Sequence, residues 1–330
     1  MAPSEDSKSN ALTVTLGTRK SQLAMVQTYQ VRDALQKLYP NYHFPILPMS
    51  TTGDKILDVA LSKIGEKSLF TKELELALHD KKVDLVVHSL KDLPTTLPPG
   101  MVLGAVMERE NPHDAVVFNE KHKDFTLDKL PEGSVIGTSS VRRIAQLKRR
   151  FPHLQFKDVR GNLNTRLAKL DAQDSPYAGI VLAVAGLTRI NQGHRISQVL
   201  DPSLSLHAVS QGALGVECRA DDANIMQLLE PLNHYETRVR CVGERSLMRT
   251  LEGGCSVPIG VNTRFEGRIL HLRGLVASVD GRQVAEDDAE IEIPQGSSQE
   301  AEKCAEKLGV LVAQKLLDQG ARQILDQIQH

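Results

Sequence analysis

The sequence predicts an α/β protein with two lobes of similar design and a smaller α+β domain at the C-terminal end. Two observations favour the lobes: a strand and a helix follow one another twice in the same pattern, and two apolar runs have the composition of buried strands. A third observation favours the extra domain, because the chain ends in alternating strands and long helices. The 330 residues allow two or three domains of ordinary size.

The two strand and helix units lie about 120 residues apart. In the first, Thr13 to Leu16 predicts a strand, Gly17-Thr18 a turn, and Ser21 to Leu38 a helix with one apolar face. In the second, Ser134 to Ile136 predicts a strand, and a helix begins near Ser140. The repetition favours two α/β halves.

Two interior strands are predicted at Asp84 to His88 and at Gly179 to Val184. Both runs are rich in branched apolar residues and lack alternation, which is typical of strands buried on both faces of a largely parallel sheet. We therefore expect helices on both faces of each sheet.

The C-terminal region has a different pattern. It predicts a helix at Glu236 to Leu251 and alternating strands on either side of the turn at Asp280-Gly281. A last helix is predicted from Gln299 to Gln319, before Gly320. This order of elements favours a small α+β domain.

The charge balance excludes several classes of protein. Forty Lys+Arg against 41 Asp+Glu give a net charge of −1, which argues against a surface built for nucleic acid or a membrane. The longest apolar run, Ile180 to Leu187, is too short to span a bilayer, and the N-terminus has no targeting pattern. The sequence has no Trp and 4% aromatic residues, which disfavours base stacking. We therefore expect a cytoplasmic protein in which any charge-driven binding is local.

The four cysteines favour reduced thiols. Cys218, Cys241, Cys255 and Cys304 lie far apart without a CxxC pair, so we expect neither a metal site nor a disulfide framework. Three of them lie in regular elements and are predicted to be core residues. Cys255 differs because it lies between a double glycine and a proline, in a loop where a thiol is accessible as a nucleophile.

A cationic segment runs from Thr138 to Leu170. It holds nine cations and one anion, Asp158, a local charge of about +8. Arginines at helix starts and turns suit bidentate capture of carboxylates or phosphates, whereas a solvated helix face remains the alternative. The cations are Arg142, Arg143, Lys148, Arg149, Arg150, Lys157, Arg160, Arg166 and Lys169.

Asp92 follows the predicted strand that ends at His88, at the sheet end where α/β proteins place ligands. A carboxylate among cations can stabilise a developing positive charge or bind a substrate N–H. A turn aspartate before Pro94 is the structural alternative. Further upstream, Lys55 to Ser68 is predicted to be either a lid over the cleft or an ordinary surface segment.

Seven segments in the same order resemble one known family. They are GTRKSQLA, STTGDKI, VDLVVHSLKDLP, GTSSVRRIAQL, RGNLNTRL, AVSQGALGVE and LEGGCSVP, between residues 17 and 258. Together they resemble the hydroxymethylbilane synthases, also called porphobilinogen deaminases. The resemblance implies a transferase that joins four porphobilinogen molecules head to tail, releases ammonia and forms the linear tetrapyrrole hydroxymethylbilane for haem and tetrapyrrole synthesis.

The resemblance also implies a cofactor and its site. A dipyrromethane is expected to be bound covalently by a thioether to Cys255, and Asp92 is expected to stabilise the cationic azafulvene formed when ammonia leaves. The acetate and propionate of each pyrrole are expected to meet cations and hydroxyls of the cleft. The implied cofactor contacts are Lys91, Ser140, Arg142, Arg143 and Arg166, and the implied substrate contacts are Arg19, Ser21, Arg160 and Arg189.

The resemblance implies three domains, of which the first two are periplasmic-binding-protein-like and face one cleft. Domain 1 is expected to comprise residues 1–109 and 210–232, domain 2 residues 110–209 and domain 3 residues 233–330. A monomer is expected. Ser210 departs from the family pattern, which has glycine there, and serine adopts positive φ less readily.

Two rival functions remain at this point. A non-enzymatic, two-lobed anion-binding or solute-binding module would share the architecture, but it would not need a cysteine in a Gly-Gly loop. Binding of nucleic acid by the cationic segment would weaken steeply with salt, and the near-zero net charge disfavours it.

Overall fold

The computed structural model describes residues 12–55, 71–252 and 257–327. Cys255 lies outside the described residues, as does the predicted lid segment apart from Lys55. Among the helices in the described ranges, none combines the length and apolarity needed to cross a membrane. Two five-stranded sheets and one three-stranded sheet organise the described chain.

The first α/β unit is built on one of the five-stranded sheets. Three of its strands are parallel, and the strand contributed from beyond residue 213 is antiparallel to both neighbours. In spatial order the strands are β4 (Ile46–Met49), β2 (Leu16–Arg19), β5 (Leu85–Ser89), β12 (Leu214–Arg219) and β6 (Met101–Val106). The remaining elements are α1 (Gln22–Leu38), α2 (Thr52–Lys55), α3 (Lys72–His79), α7 (Ala223–Leu229) and the short pair β1 (Leu12–Thr13) and β3 (Tyr42–His43).

The predicted turn at Gly17-Thr18 is wrong. Both residues lie within β2, because parallel pairing with β4 continues to the end of that strand. The predicted helix that follows is confirmed, since α1 begins after Ser21. The Ser21 hydroxyl accepts a hydrogen bond from the Ala24 N–H at 3.4 Å, as an N-cap residue does.

The second α/β unit has the same plan. β8, β9 and β10 are parallel, and β7 is antiparallel to its two neighbours. In spatial order the strands are β11 (Gln198–Leu200), β7 (Asp114–Phe118), β10 (Gly179–Ala183), β8 (Val135–Gly137) and β9 (Gln155–Lys157). Its helices are α4 (Val141–Arg150), α5 (Leu163–Asp171) and α6 (Val184–Arg189).

The C-terminal unit is a three-stranded antiparallel meander with helices packed on it, so the predicted α/β class with a small α+β end is confirmed. A Cβ atom on Gly309 would lie 2.3 Å from the Gly243 carbonyl oxygen, which explains how closely the two longest helices of this unit approach. The strands are β13 (Ile259–Glu266), β14 (Ile269–Ala277) and β15 (Val284–Glu292), and the helices are α8 (Tyr235–Thr250), α9 (Ser298–Asp318) and α10 (Ala321–Asp326).

The C-terminal unit packs against both α/β units. Cys241 of α8 shares one buried apolar cluster with Leu90 and Leu93 of the first unit. Leu275 of β14 shares another with Ala145 of α4 in the second unit. The C-terminal unit therefore contacts each of the two α/β units through buried apolar residues.

The chain returns to the first sheet through Ser210 to Gly212. Both of these residues have left-handed backbone conformations, with φ of 60° for Ser210 and 91° for Gly212. A Cβ atom on Gly212 would lie 2.3 Å from the Glu110 carbonyl oxygen, so only glycine fits there. Ser210 adopts positive φ despite its side chain, and its N–H donates to Glu244 Oε2 at 2.7 Å. Such a conformation costs about 1–2 kcal/mol in a residue other than glycine.

Candidate active site

A cavity of about 500 Å³, open to solvent, lies between the two α/β units. Both units and the returning chain contribute polar or charged side chains to it. None of the lining residues in the described part of the chain is acidic, so the walls present positive charge. The polar and charged lining residues are Gln27, Ser89, Lys91, Arg143, Arg166, Arg189 and Gln211.

Lys91 and Asp92 lie in the short helical turn Leu90–Asp92 that directly follows β5. Asp92 is exposed, whereas Lys91 is partly covered and donates to Gln211 Oε1 at 3.2 Å. Desolvation lowers the pKa of Lys91 to about 8; the Asp92 carboxylate opposes this, and the Arg143 guanidinium adds to it. Lys91 is therefore mainly protonated at neutral pH, beside the carboxylate of Asp92.

Asp114 holds two neighbouring arginines at the start of α4. Its Oδ2 accepts from Arg142 Nη1 at 2.7 Å and its Oδ1 from Arg143 Nη2 at 2.7 Å. All three side chains are buried. Burial alone would raise the pKa of Asp114, but the two guanidinium groups hold it well below its ordinary value. The three residues thus form a buried cluster of two guanidinium groups on one carboxylate, and Arg143 joins this cluster to the cavity wall.

Arg142 and Arg143 differ in whether they reach the cavity wall, where a ligand can bind. Arg142 Nη1 also donates to the Leu206 carbonyl at 2.7 Å, and Arg142 is not among the residues that line the cavity. Arg143 lines it, donates to the Val181 carbonyl at 2.8 Å, and has a buried Nε without a hydrogen-bond partner among the described residues. The structure therefore brings Arg143, rather than Arg142, to the cavity wall.

Arg160 and Arg166 lie on either side of the turn that begins α5. Arg166 Nε donates to the Gly161 carbonyl at 2.8 Å, and Arg160 Nη1 is buried without a partner among the described residues. Desolvation and the nearby cations Arg143 and Arg160 lower the pKa of Arg166 to about 10, and Asp92 opposes them. The Asp92 carboxylate of the first unit is therefore close enough to Arg166 of the second unit to interact with it electrostatically.

The remaining predicted site residues lie at the ends of helices or strands, and of these Arg189 lines the cavity whereas Arg19, Ser21 and Ser140 do not. Arg19 ends β2 and is half-buried, Ser21 caps α1, and Ser140 precedes α4 without making a side-chain cap. Arg189 lines the cavity and donates to the Gly212 carbonyl at 2.8 Å. Arg149 and Arg150 are exposed at the far end of α4, which agrees with a solvated helix face.

Several polar residues of the site escaped the sequence analysis. Gln27 and Ser89 are hydrogen-bonded to each other at 2.8 Å in the cavity wall, and Gln211 joins Lys91 to Asp114. Asp114 had one available signal, a carboxylate at the head of an apolar strand, DAVVF. The glutamines had none, because an amide within a helix or loop is common on any surface.

Fold and cavity together define a two-lobed α/β protein with a cationic ligand cleft and an appended α+β unit. Residues 14–227 match the model of the porphobilinogen deaminase, dipyromethane cofactor binding domain. Residues 238–318 match the model of the porphobilinogen deaminase C-terminal domain. The chain belongs to the porphobilinogen deaminase family.

Individual relatives are similar over nearly the whole chain. The porphobilinogen deaminase of Nostoc sp. (strain PCC 7120) is 56% identical over 316 residues, covering 96% of this chain and 94% of the relative. That of Synechococcus elongatus is 55% identical over 320 residues, covering 97% of each. Among solved structures, the periplasmic aliphatic sulphonate binding protein SsuA from Escherichia coli has a TM-score of 0.37 at 13% identity, covering 73% of this chain and 70% of that one.

Proposed function

We propose that this protein joins four porphobilinogen molecules head to tail on a dipyrromethane primer, releasing ammonia and forming hydroxymethylbilane. Family membership supports the reaction, and one structural observation supports its location: a cleft with Lys91, Arg143, Arg166 and Arg189 in its wall and Asp92 beside it. The substrate and the growing chain are polycarboxylates, which suits a cleft whose charged lining residues, in the part of the chain that the structure describes, are all cations.

The residues present fit a dipyrromethane in the cavity. Two linked pyrroles, each with an acetate and a propionate, need donors for four carboxylates, and the cavity wall has three arginines and one lysine. Arg143 Nε is a buried donor that lacks a partner among the described residues, which favours a bound carboxylate there. When bound, the dipyrromethane supplies the pyrrole carbon to which the first substrate unit is joined.

Asp92 is the proposed catalytic residue. Its exposed carboxylate lies beside Lys91 and close enough to Arg166 to interact with that guanidinium group. Loss of ammonia moves the positive charge of the aminomethyl ammonium group onto the pyrrole ring, and a carboxylate fixed beside the ring stabilises that charge more than it stabilises the uncharged ring of the ground state. The same carboxylate accepts a hydrogen bond from a pyrrole N–H and thereby orients the ring.

The arginines are proposed to bind carboxylates of the substrate and cofactor. Arg160 Nη1 and Arg143 Nε supply donors that have no partner among the described residues, and Arg166 and Arg189 add further cations to the cavity wall. Arg19, Ser21 and Ser140 are assigned to the same role at the cleft rim. Arg142 is assigned to it from the sequence, although its described Nη1 bonds lead to Asp114 and to the Leu206 carbonyl.

The finer features belong to the same proposal. Cys255 is the attachment residue, by a thioether, because it is the one cysteine that directly follows a double glycine in the sequence. Residues 1–109 and 210–232 form domain 1, 110–209 domain 2 and 233–330 domain 3, a division supported by β12, which lies in the first sheet. The protein is proposed to be monomeric and cytoplasmic. The comparisons give no support to a non-enzymatic anion-binding module.

Intact mass tests the attachment directly. We expect the denatured wild-type protein to carry the mass of two linked pyrrole units, because a thioether survives unfolding, and we expect Cys255→Ala to have the bare chain mass. Cys304→Ala is the matched control, since Cys304 is half-buried on α9, and it should keep the adduct. Bare mass in the wild type, persisting after incubation with porphobilinogen, contradicts the proposal.

A further inference from the structure

Helix α8 of the C-terminal unit reaches the loop that follows Asp92. Arg245 of that helix is buried, with 8% of its surface exposed. Its Nη1 donates to the Leu93 carbonyl at 3.0 Å and its Nη2 to the Pro94 carbonyl at 2.5 Å. A guanidinium group presents its donors in a planar fork, so two successive carbonyls held this way are fixed in position and in orientation.

The other end of the same turn is also fixed. The Leu90 N–H donates to the Ala213 carbonyl at 3.0 Å, and the Leu90 side chain is fully buried. Leu93 is fully buried too and shares its apolar cluster with Cys241, one turn before Arg245 on α8. Lys91 and Asp92 lie between these two buried anchors, so their backbone has little freedom to move.

The two anchors act on Asp92 differently. Buried leucines fix the depth of the turn, but apolar contacts are not directional. The two hydrogen bonds from Arg245 are directional, and they act on the carbonyls one and two residues after Asp92. Pro94 has no N–H to donate. The hydrogen bonds between this segment and α8 are therefore accepted by the Leu93 and Pro94 carbonyls.

We propose that Arg245 is a positioning residue for Asp92: by holding the Leu93 and Pro94 carbonyls, it sets the direction of the Asp92 carboxylate toward the cleft. The proposal rests on the function proposed above. Catalytic groups displaced by about 1 Å lose about 100-fold in rate, so a residue that fixes the carboxylate acts on kcat. Binding of the substrate by the arginines of the second unit is unaffected, because Arg245 does not line the cavity.

The first test compares variants on the same face of α8. We expect Arg245→Met to lower kcat per cofactor-bearing molecule by about 10- to 100-fold with little change in KM. Arg245→Gln, which keeps an amide donor, should fall between that variant and the wild type. Arg249→Met is the matched control: Arg249 lies one turn further on and is half-exposed, with Glu306 at 3.6 Å, and this variant should keep its kcat. The fraction of molecules with cofactor is taken from intact mass.

The second test is a double-mutant cycle with Asp92→Glu. If Arg245 acts through Asp92, Arg245→Met should cost far less kcat in the Asp92→Glu background than in the wild type. A merely structural role would lower the melting temperature or the cofactor-bearing fraction while leaving kcat per cofactor-bearing molecule unchanged, and that result overturns the proposal. Equal losses in both backgrounds overturn it as well. Failure of the proposed function looks different, because the wild type itself would then consume no porphobilinogen.

Discussion

Two pairs of arginines in the second α/β unit have similar sequence surroundings and different structural roles. Arg142 and Arg143 follow a serine at the start of α4, and Arg160 and Arg166 lie around the start of α5. The first pair is ion-paired with the buried Asp114, and of that pair Arg143 also lines the cavity, whereas the second pair is half-buried and has no ion pair among the described residues. The internal carboxylate thus fixes the first pair in place and leaves Arg143 Nε as its donor for a ligand, whereas no carboxylate in the described part of the chain pairs with the second.

The largest effect is expected when the negative charge of Asp114 is removed from between Arg142 and Arg143. Asp114→Asn keeps the shape of the side chain but leaves two buried guanidinium groups without a counter-charge. We expect a loss of about 3–5 kcal/mol in the free energy of unfolding, measured by urea denaturation. Asp158→Asn is the control, because Asp158 is exposed, and it should change stability by about 0.5 kcal/mol or less. A small loss for Asp114→Asn would make the two arginine pairs equivalent.

An intermediate effect is expected at Arg160. Its Nη1, which has no hydrogen-bond partner within the described ranges, is proposed to bind a substrate carboxylate, so Arg160→Met should raise KM for porphobilinogen by about 10- to 100-fold, the equivalent of one hydrogen bond to a charged group. The melting temperature should stay close to that of the wild type. Arg150→Met, at the exposed end of α4, serves as the control for loss of one charge. A lower melting temperature with an unchanged KM would instead mean that Arg160 stabilises the fold and does not bind the substrate.

The smallest effect concerns Lys91 and pH. Its pKa of about 8 lies below the usual 10.5, so the cleft loses one cation as pH rises through 8, and KM should rise there. Lys91→Met should remove that rise. The free energy of unfolding should increase over the same pH range. Between pH 8 and 10.5 the Lys91 amine is protonated in the unfolded chain but not in the folded protein, so raising the pH favours the folded state. An identical pH profile of KM in wild type and Lys91→Met would refute this role.

Much of the fold could be predicted because local signals were consistent with it. The helix after Ser21, the buried strand ending near His88 and the turn at Asp280-Gly281 all occur where the residue patterns place them. Gly17-Thr18 misled because glycine usually signals a turn, whereas pairing with β4 keeps these residues extended. Tertiary contacts outweighed a local preference there.

The candidate site could be predicted as a set of charges but not as a geometry. The sequence indicates that cations are concentrated between Thr138 and Leu170, but not that Asp114 forms ion pairs with two of them, the nearer one 28 residues away. Arg245 was missed for the same reason. Its partners, Leu93 and Pro94, are about 150 residues earlier in the chain. Because every residue has a backbone carbonyl, the sequence does not indicate which carbonyls accept a hydrogen bond from a distant side chain.

The position of β12 has a consequence for the order in which the protein folds. This strand lies between β5 and β6, yet it is made only after every strand of the second sheet, whose residues run from 114 to 200. During synthesis the first sheet therefore lacks the strand that joins β5 to the edge strand β6, while the second sheet has all its strands in one continuous stretch of chain. Contacts between residues so far apart form slowly. The unit synthesised first is thus the later of the two to be completed.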